Sequence, residues 1–289
     1  MQAELSRTIA AIVAFCAVSV AQVTSEKLPS NGAPPPVSTK LVQPLPFQPG
    51  ERLIYDVSFS KLIFSGTLGE VTLSVSQPAG PASKMLELKA EAASRGLFPA
   101  LLGIKVKDTY LSTVGGLDFE LQSYKRSIEE GKTRREQTAI IHRETGKVSY
   151  TDRDLSSPKA TPKVKEASSP PWIQDVLSAI YLVRALTLKE GEVIPIPISD
   201  SGAVYTVEAV VGKREEVKVA LGTFKTIQLD AKVFDGRFIK RSGEMLVWIS
   251  DDPQRVIVRV RVKTSGATVT AELKRITSTG TGPARVRPR

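Results

Sequence analysis

Residues 171–191, PWIQDVLSAIYLVRALTLKEG, differ from the sequence on either side of them. Their apolar side chains surround nearly the whole of a helical wheel, whereas the flanking segments alternate apolar and polar residues. Alternation with period two indicates half-buried strands, and a helix that is apolar all round needs burial on more than one side. The stretch therefore predicts one buried helix inside a protein built otherwise from strands.

This central helix is predicted over residues 172–190. Prolines precede it and Gly191 can end it, which are the favoured positions of both residue types. Its charged residues Asp175 and Arg184 lie about half a turn out of phase at 3.6 residues per turn. They cannot pair with each other, so each is expected to find a partner on the strands or in solvent. Two charges in so short a run also exclude a membrane span.

The alternating segments extend outward from the helix in both directions and are separated by turns rich in Gly, Asp and Pro. Strands at such short, regular spacing are typical of antiparallel barrels and sandwiches. We predict an all-β fold, an antiparallel sheet of about a dozen strands curled into an open barrel or β-spiral around the buried helix. The helix would close the gap in the sheet; a mobile lid over a ligand cavity is the alternative.

The N-terminus has the three-part form of a secretory signal peptide. A short start with Arg7 precedes the apolar run 9–20, and small residues precede Gln22. The run is shorter than the ~20 residues that span a bilayer. Residues 1–21 are therefore predicted to be a signal peptide cleaved after Ala21, which gives a periplasmic or secreted protein. An uncleaved N-terminal anchor is the alternative.

The remaining chain divides by composition. Residues 22–43 are rich in Pro, Ser and Thr and predict a disordered linker, and residues 278–289 predict a disordered basic tail. Residues 44–277 are predicted to form a single β domain. Cys16 is the only cysteine and lies in the signal peptide. The mature chain would have no disulfide, so its fold depends on a hydrophobic core.

The protein is basic, with a net charge of +10. Basic residues are scattered along the strands, with local groups at 132–135 and 285–289, which favours solvated strand faces over a dedicated patch. The segment GKTRREQ lacks interleaved aromatic residues, so no nucleic-acid partner is predicted. Outside the inner membrane, the acidic partners of a basic protein are anionic lipid head groups, lipopolysaccharide or acidic glycans.

Catalytic and metal-binding patterns are missing from the sequence. His142 is the only histidine, and no G-x-S-x-G elbow accompanies it. One histidine and one cysteine exclude ordinary zinc and iron–sulfur sites. Asp251 and Asp252 precede Pro253, which is typical of a β-turn. The sequence therefore predicts no cofactor, no metal and no enzymatic activity.

Two groups of apolar residues are candidates for binding. Six aromatic residues either line a ligand cavity inside the curled sheet or fill its core: Tyr55, Phe59, Phe64, Trp172, Tyr181 and Trp248. Residues 97–104, LFPALLGI, form either an exposed hydrophobic loop that contacts a membrane or a partner, or a buried crossover. The sequence leaves both alternatives open.

Four segments resemble a bacterial domain-of-unknown-function family, numbered thirty-one-oh-eight. They are an opening strand (46–59), a central helix with Asp-x-Leu-Ser and Tyr-x-x-Arg elements (175–192), a strand–turn–strand unit (213–229) and a late hairpin (247–260). The resemblance spans roughly residues 44–276. It implies a secreted or periplasmic protein and transfers no catalytic or binding residue.

These observations predict a non-enzymatic periplasmic protein of the cell envelope. It would bind a lipid-like or hydrophobic ligand, such as a lipid or glycolipid, or an envelope protein, with peripheral membrane contact. One alternative is a protein–protein interaction module with a filled core. The other is a glycan or lipid hydrolase, which requires paired carboxylates or a serine near His142.

Overall fold

The computed structural model describes residues 41–61, 64–78, 84–101, 103–157, 159–234, 242–264 and 266–278. The predicted signal peptide, nearly all of the predicted linker and nearly all of the predicted tail lie outside these residues. The strands are β1 (Glu51–Lys61), β2 (Phe64–Ser76), β3 (Met85–Ser94), β4 (Lys107–Gly115), β5 (Leu121–Glu130), β6 (Thr133–His142), β7 (Lys147–Asp154), β8 (Lys163–Ser168), β9 (Val193–Asp200), β10 (Ala203–Val219), β11 (Gly222–Ala231), β12 (Gly243–Ser250), β13 (Ile257–Thr264) and β14 (Ala267–Ser278). The helices are α1 (Leu97–Leu101) and α2 (Val176–Ala185).

All of these strands belong to one 14-stranded sheet, which is antiparallel and unclosed. Its order runs from β9 through β14 to β1 and on to β8, so β8 and β9 form its two ends. The chain crosses from one end to the other through α2. This arrangement confirms the predicted all-β class with an open, curled sheet and a central helix. No helix in the described ranges is long and apolar enough to cross a membrane.

The pairing of β1 with β14 joins the N-terminal and C-terminal strands into one sheet. The ladder runs from the pair Glu51–Ser278 to the pair Ser60–Thr268. In β1 the alternation seen in the sequence becomes alternation of burial, since Leu53, Tyr55, Val57 and Phe59 are buried and Arg52, Ser58 and Ser60 are exposed. The period-two pattern therefore places one face of this strand in the core.

Helix α2 packs against β3 and β4, which precede it in the chain, and against β9, which follows it. Its apolar side chains join the hydrophobic core, among them Leu177, Tyr181 and Leu182. The ring of Phe47 meets the ring of Tyr181 edge-on, with centroids 5.0 Å apart. The helix therefore fills the interior of the curled sheet, where an apolar helix can be buried on several sides.

The helix is shorter than the predicted 172–190. Asp175 is its N-cap with extended backbone, and Asp175 and Ser178 cap each other reciprocally. Leu186, directly after the helix, is also extended and forms a bridge with Leu41. Val42 of the predicted linker also donates its N–H to the Ala185 carbonyl at 2.7 Å. Reciprocal capping stops the helix on its N-terminal side, and backbone pairing stops it on its C-terminal side. The helical hydrogen bonds therefore cover fewer residues than predicted.

The edge strand β9 carries two prolines, Pro195 and Pro197. The Pro197 carbonyl accepts the Gln174 N–H at 2.8 Å, and the Gln174 carbonyl accepts the Ser199 N–H at 2.7 Å. The backbone groups on this side of β9 therefore point away from β10. The two prolines remove backbone N–H donors from this outer edge of the sheet. Prolines at such edges prevent pairing with foreign strands.

The two charged residues of the helix region are bonded to different strands. Asp175 accepts a hydrogen bond from Ser112 Oγ of β4 at 2.8 Å. Arg184 is fully buried and forms a two-pronged ion pair with Glu51 of β1, with both N–O distances 2.8 Å. Its Nε donates to the Arg255 carbonyl at 2.8 Å. The helix is thus attached at one end to β4 and at the other to β1 and the β12–β13 turn.

Replacing Glu51 with alanine is expected to lower the free energy of unfolding by about 3–5 kcal/mol, because it leaves the Arg184 charge buried without its carboxylate. Urea denaturation measures the change. Glu166→Ala is the matched control, since Glu166 pairs with Lys147 on the surface. That exposed pair is worth about 0–1 kcal/mol. Equal losses in the two variants would show that the Arg184 pair does not stabilise the helix in place.

Candidate functional site

The six predicted aromatic residues do not surround one cavity. Tyr55, Phe59 and Tyr181 are buried in the core, and Trp248 is buried as well. Phe64 and Trp172 lie on the surface, with 64% and 43% of their area exposed. Ligand binding by any of them stays a prediction, but the structure separates them into core residues and surface residues.

Trp248 has a packing role. Its indole N–H donates to Glu215 Oε1 at 2.7 Å, and this hydrogen bond lowers the pKa of the Glu215 carboxyl. The guanidinium groups of Arg261 and Arg259 lie 5.0 and 5.9 Å from the ring centroid. Arginines stacked on a buried indole stabilise it through cation–π attraction. Trp248 therefore offers no open face to a ligand.

Trp172 borders an apolar cleft between α2 and β9, which we name the Trp172 cleft. The cleft is shallow, with a cavity volume of about 20 Å³. Its walls come from the start of the helix region, from the end of α2 and from the proline-containing edge strand: Trp172, Leu182, Leu186, Ile194, Pro195, Ile196 and Pro197. A cleft of this size accepts a small apolar group of a larger ligand and not the whole ligand.

The backbone of Trp172 has φ of 63°, in the left-handed region. This conformation costs a non-glycine residue about 1–2 kcal/mol. It is imposed by neighbours on both sides, because Ile173 N–H bonds to the Pro170 carbonyl and Gln174 pairs with Pro197. Strained residues held in this way cluster at ligand clamps and active sites. An exposed indole in a strained conformation marks the Trp172 cleft as the candidate functional site.

Asp108 and Glu130 form a carboxyl pair on the inner side of β4 and β5. Asp108 is 1% exposed, and its Oδ1 accepts the Glu129 N–H at 2.9 Å. Burial, reinforced by the neighbouring Glu130, raises the pKa of Asp108 to about 7. Burial also raises the pKa of Glu130. The pair lies apart from the Trp172 cleft, and in the described part of the chain no three potential metal ligands cluster.

His142 has a serine neighbour. Its Nε2 lies 3.0 Å from Ser149 Oγ, across the β6–β7 pair. Nucleophilic catalysis would further require a carboxylate that orients the imidazole and donors for an oxyanion. The hydrogen bonds of the described residues provide no carboxylate partner for this ring. The contact therefore has the form of an ordinary cross-strand hydrogen bond.

The segment 97–104 combines the two predicted arrangements. Leu97 opens α1 with 83% of its area exposed, and Ile104 is 7% exposed and belongs to the core. The Ile104 N–H donates to the Pro99 carbonyl at 2.8 Å, which folds the segment back on itself. Where its side chains are described, the segment exposes Leu97 and buries Ile104.

A family profile described as a protein of unknown function (DUF3108) matches residues 54–274. The chain belongs to this family. The resemblance seen in the four sequence segments is thereby confirmed. No functionally curated protein matches the sequence.

One solved structure shows that this fold is shared with a β-barrel-like protein. A protein of the family DUF1849 from Brucella abortus has a TM-score of 0.54 at 11% identity, over 80% of this chain and 98% of that chain. A candidate exported protein with a YmcC-like fold from Bacteroides fragilis scores 0.33 at 8% identity, over 80% and 97%. A candidate lipoprotein from Parabacteroides distasonis scores 0.29 at 9% identity, over 79% and 95%. The first of these likenesses shows the shared fold.

Asp108→Asn is expected to remove a pH dependence of stability. The folded pKa of Asp108 lies above the unfolded value, so its stabilising effect is present below about pH 4 and is lost as the pH rises through 7. Between pH 5 and 8 the wild type should lose on the order of 3 kcal/mol relative to the variant. Urea denaturation at each pH measures this difference.

Asp154→Asn serves as the control, because the Asp154 side chain is exposed at the end of β7.

The groups that face Asp108, and so set its pKa, are Glu130, the Tyr110 hydroxyl and the Glu129 N–H. Parallel pH profiles for the wild type and Asp108→Asn would contradict the raised pKa.

Proposed function

We propose that this protein is a non-enzymatic component of the bacterial cell envelope that binds a lipid-like hydrophobic ligand in the Trp172 cleft. The observation that carries the proposal is the exposed, strained Trp172 at the border of an apolar cleft. A tryptophan side chain that is partly exposed to water and partly packed against apolar groups suits contact with an amphiphile. The apolar walls would hold methylene groups, whose burial contributes about 0.8 kcal/mol each.

The proposed location rests on residues 1–21, which have the three-part form of a signal peptide. The absence of cysteine after residue 16 means that folding in an oxidising compartment requires no disulfide. A basic chain of net charge +10 also suits the anionic lipid surfaces of the envelope. These properties support an envelope protein independently of the cleft.

The packed interior supports binding at the surface cleft and not inside the curled sheet. Helix α2 and the buried aromatic residues occupy the interior as one continuous core. The same packing favours the second candidate, a protein–protein interaction module with a filled core. In that case the exposed Leu97 would belong to the contact surface.

Trp172 provides a direct readout of ligand binding. In a Trp248→Phe background Trp172 is the only tryptophan of the chain. Titration with monomeric lysophospholipid is expected to shift its emission to shorter wavelength and to saturate, since the ring leaves water. Native mass spectrometry should show the matching adduct, lost on denaturation.

Trp172→Ala is expected to abolish the adduct, and Leu97→Ala is the matched control that keeps it. Both variants remove an exposed apolar side chain, but only one lines the cleft. Loss of the adduct in both variants would point to nonspecific surface binding. Absence of any adduct and of any emission shift would reject lipid binding and favour the interaction module.

The non-enzymatic proposal also predicts the behaviour of Ser149. A fluorophosphonate probe is expected to leave Ser149 unlabelled, because none of the carboxylates that the structure describes orients His142 to activate the serine. Peptide mass spectrometry after incubation with the probe checks this, with Ser127, an outward serine of β5, as internal control. Selective labelling of Ser149 that disappears in His142→Ala would establish the hydrolase alternative instead.

A further inference from the structure

The unclosed side of the sheet is held together through the turn between β9 and β10. We name residues 199–202 the hairpin tip. Each of them contacts the N-terminal half of the sheet, on strands β5, β7 or β8. No strand pair joins β8 to β9, so these contacts take the place of a backbone ladder.

Two of the contacts are buried. Asp200 forms an ion pair with Arg126 of β5, and both side chains are at most 2% exposed. Ser199 Oγ lies 3.3 Å from the Tyr124 hydroxyl of the same strand. The Arg126 guanidinium is also stacked near the rings of Tyr124 and Tyr110, at 4.9 and 5.9 Å from their centroids. Aromatic rings and one carboxylate thus fix the arginine at the tip.

The other two contacts lie nearer the surface. Lys165 Nζ of β8 donates to the Ser201 carbonyl at 3.1 Å. Gly202 packs so closely that a Cβ atom there would come within 2.9 Å of the Tyr150 ring. Ser201 and Gly202 both have positive φ, 51° and 76°, which is the geometry of a two-residue hairpin turn. The tip is therefore a compact turn wedged against β7 and β8.

Several buried polar atoms around the tip have no hydrogen-bond partner among the protein groups that the structure describes. They are Arg126 Nε and Nη2, Asp200 Oδ2, Tyr150 OH and Gln174 Oε1. Each unsatisfied buried group costs about 1–3 kcal/mol relative to its hydrated state. Separation of the tip from β5 and β7 exposes these atoms to water and recovers part of that free energy. Opening is consequently easier here than at fully paired strands.

The opposite side of the sheet lacks this weakness. There β1 and β14 share a backbone ladder along nearly their whole length, with one shift of register between Ile54 and Tyr55. In addition, Arg184 attaches the helix to β1 through both Glu51 oxygens. The sheet therefore has one side closed by backbone pairing and one side closed by the contacts of the hairpin tip.

We infer that the hairpin tip is a latch. Residues 199–202 detach from β5, β7 and β8 as one unit while β1 and β14 stay paired, and the gap between β8 and β9 opens. Because β9 also forms one wall of the Trp172 cleft, opening widens that cleft. This last consequence rests on the proposed function; the latch itself does not.

Hydrogen exchange of the purified protein without ligand tests the latch. The β9–β10 ladder stays paired when the tip detaches, so the informative amide is that of Ser199, whose N–H bonds outside the hairpin to the Gln174 carbonyl. It is expected to exchange at least tenfold faster than the amides of β1 and β14. Tyr124→Phe removes the bond to Ser199 and keeps the ring beside Arg126. One neutral hydrogen bond contributes about 1 kcal/mol, so exchange at the tip should rise about fivefold while β1 and β14 change less.

Tyr55→Phe is the matched control. It removes another buried tyrosine bond, to the Ile257 carbonyl at 3.0 Å, on the closed side of the sheet. Its effect should appear in β1, β13 and β14 and not selectively at the tip. The latch is overturned if tip amides exchange as slowly as β1, or if the two variants raise tip exchange equally. Neither result bears on lipid binding by Trp172, which the fluorescence titration tests separately.

Discussion

The pairing of β1 with β14 is the constraint on which the rest of the structure depends. Consecutive strands form hairpins by local contacts, but this ladder joins residues more than 200 positions apart in sequence. Once it forms, the described strands are interrupted only between β8 and β9, in the middle of the chain. The segment that crosses the interruption must pass through or around the curled sheet. An apolar helix suits that path because all its sides can be buried.

Buried charges give this helix one position. Arg184 and Asp175 point to different parts of the sheet and bond to β1 and β4 respectively. Burial of ion pairs contributes little net stability, because desolvation offsets the attraction. Such pairs can still select one arrangement, since any other placement leaves a charge unpaired. The interior therefore owes its stability to apolar packing and its register to a few polar contacts.

The sequence was informative where periodicity determines structure. Alternation in β1 and the apolar content of α2 predicted a strand face and a buried helix, and both are present. It could not give the aromatic residues a common role, because Phe64 stands at the exposed start of β2 while Tyr55 faces the core. The left-handed backbone of Trp172 and the pairing of Arg126 with Asp200, 74 residues apart, depend on tertiary contacts. No local pattern encodes either.

The ladder between the terminal strands places Glu51, the first residue of β1, opposite Ser278, the last residue of β14. The first and last strand residues in the sequence thus lie side by side in the middle of the sheet. A short covalent link between these two positions would span no more than the distance between neighbouring strands. If new chain ends were made at the gap between β8 and β9, every strand pair would survive. The linear order of the chain is therefore only one of the orders compatible with this architecture.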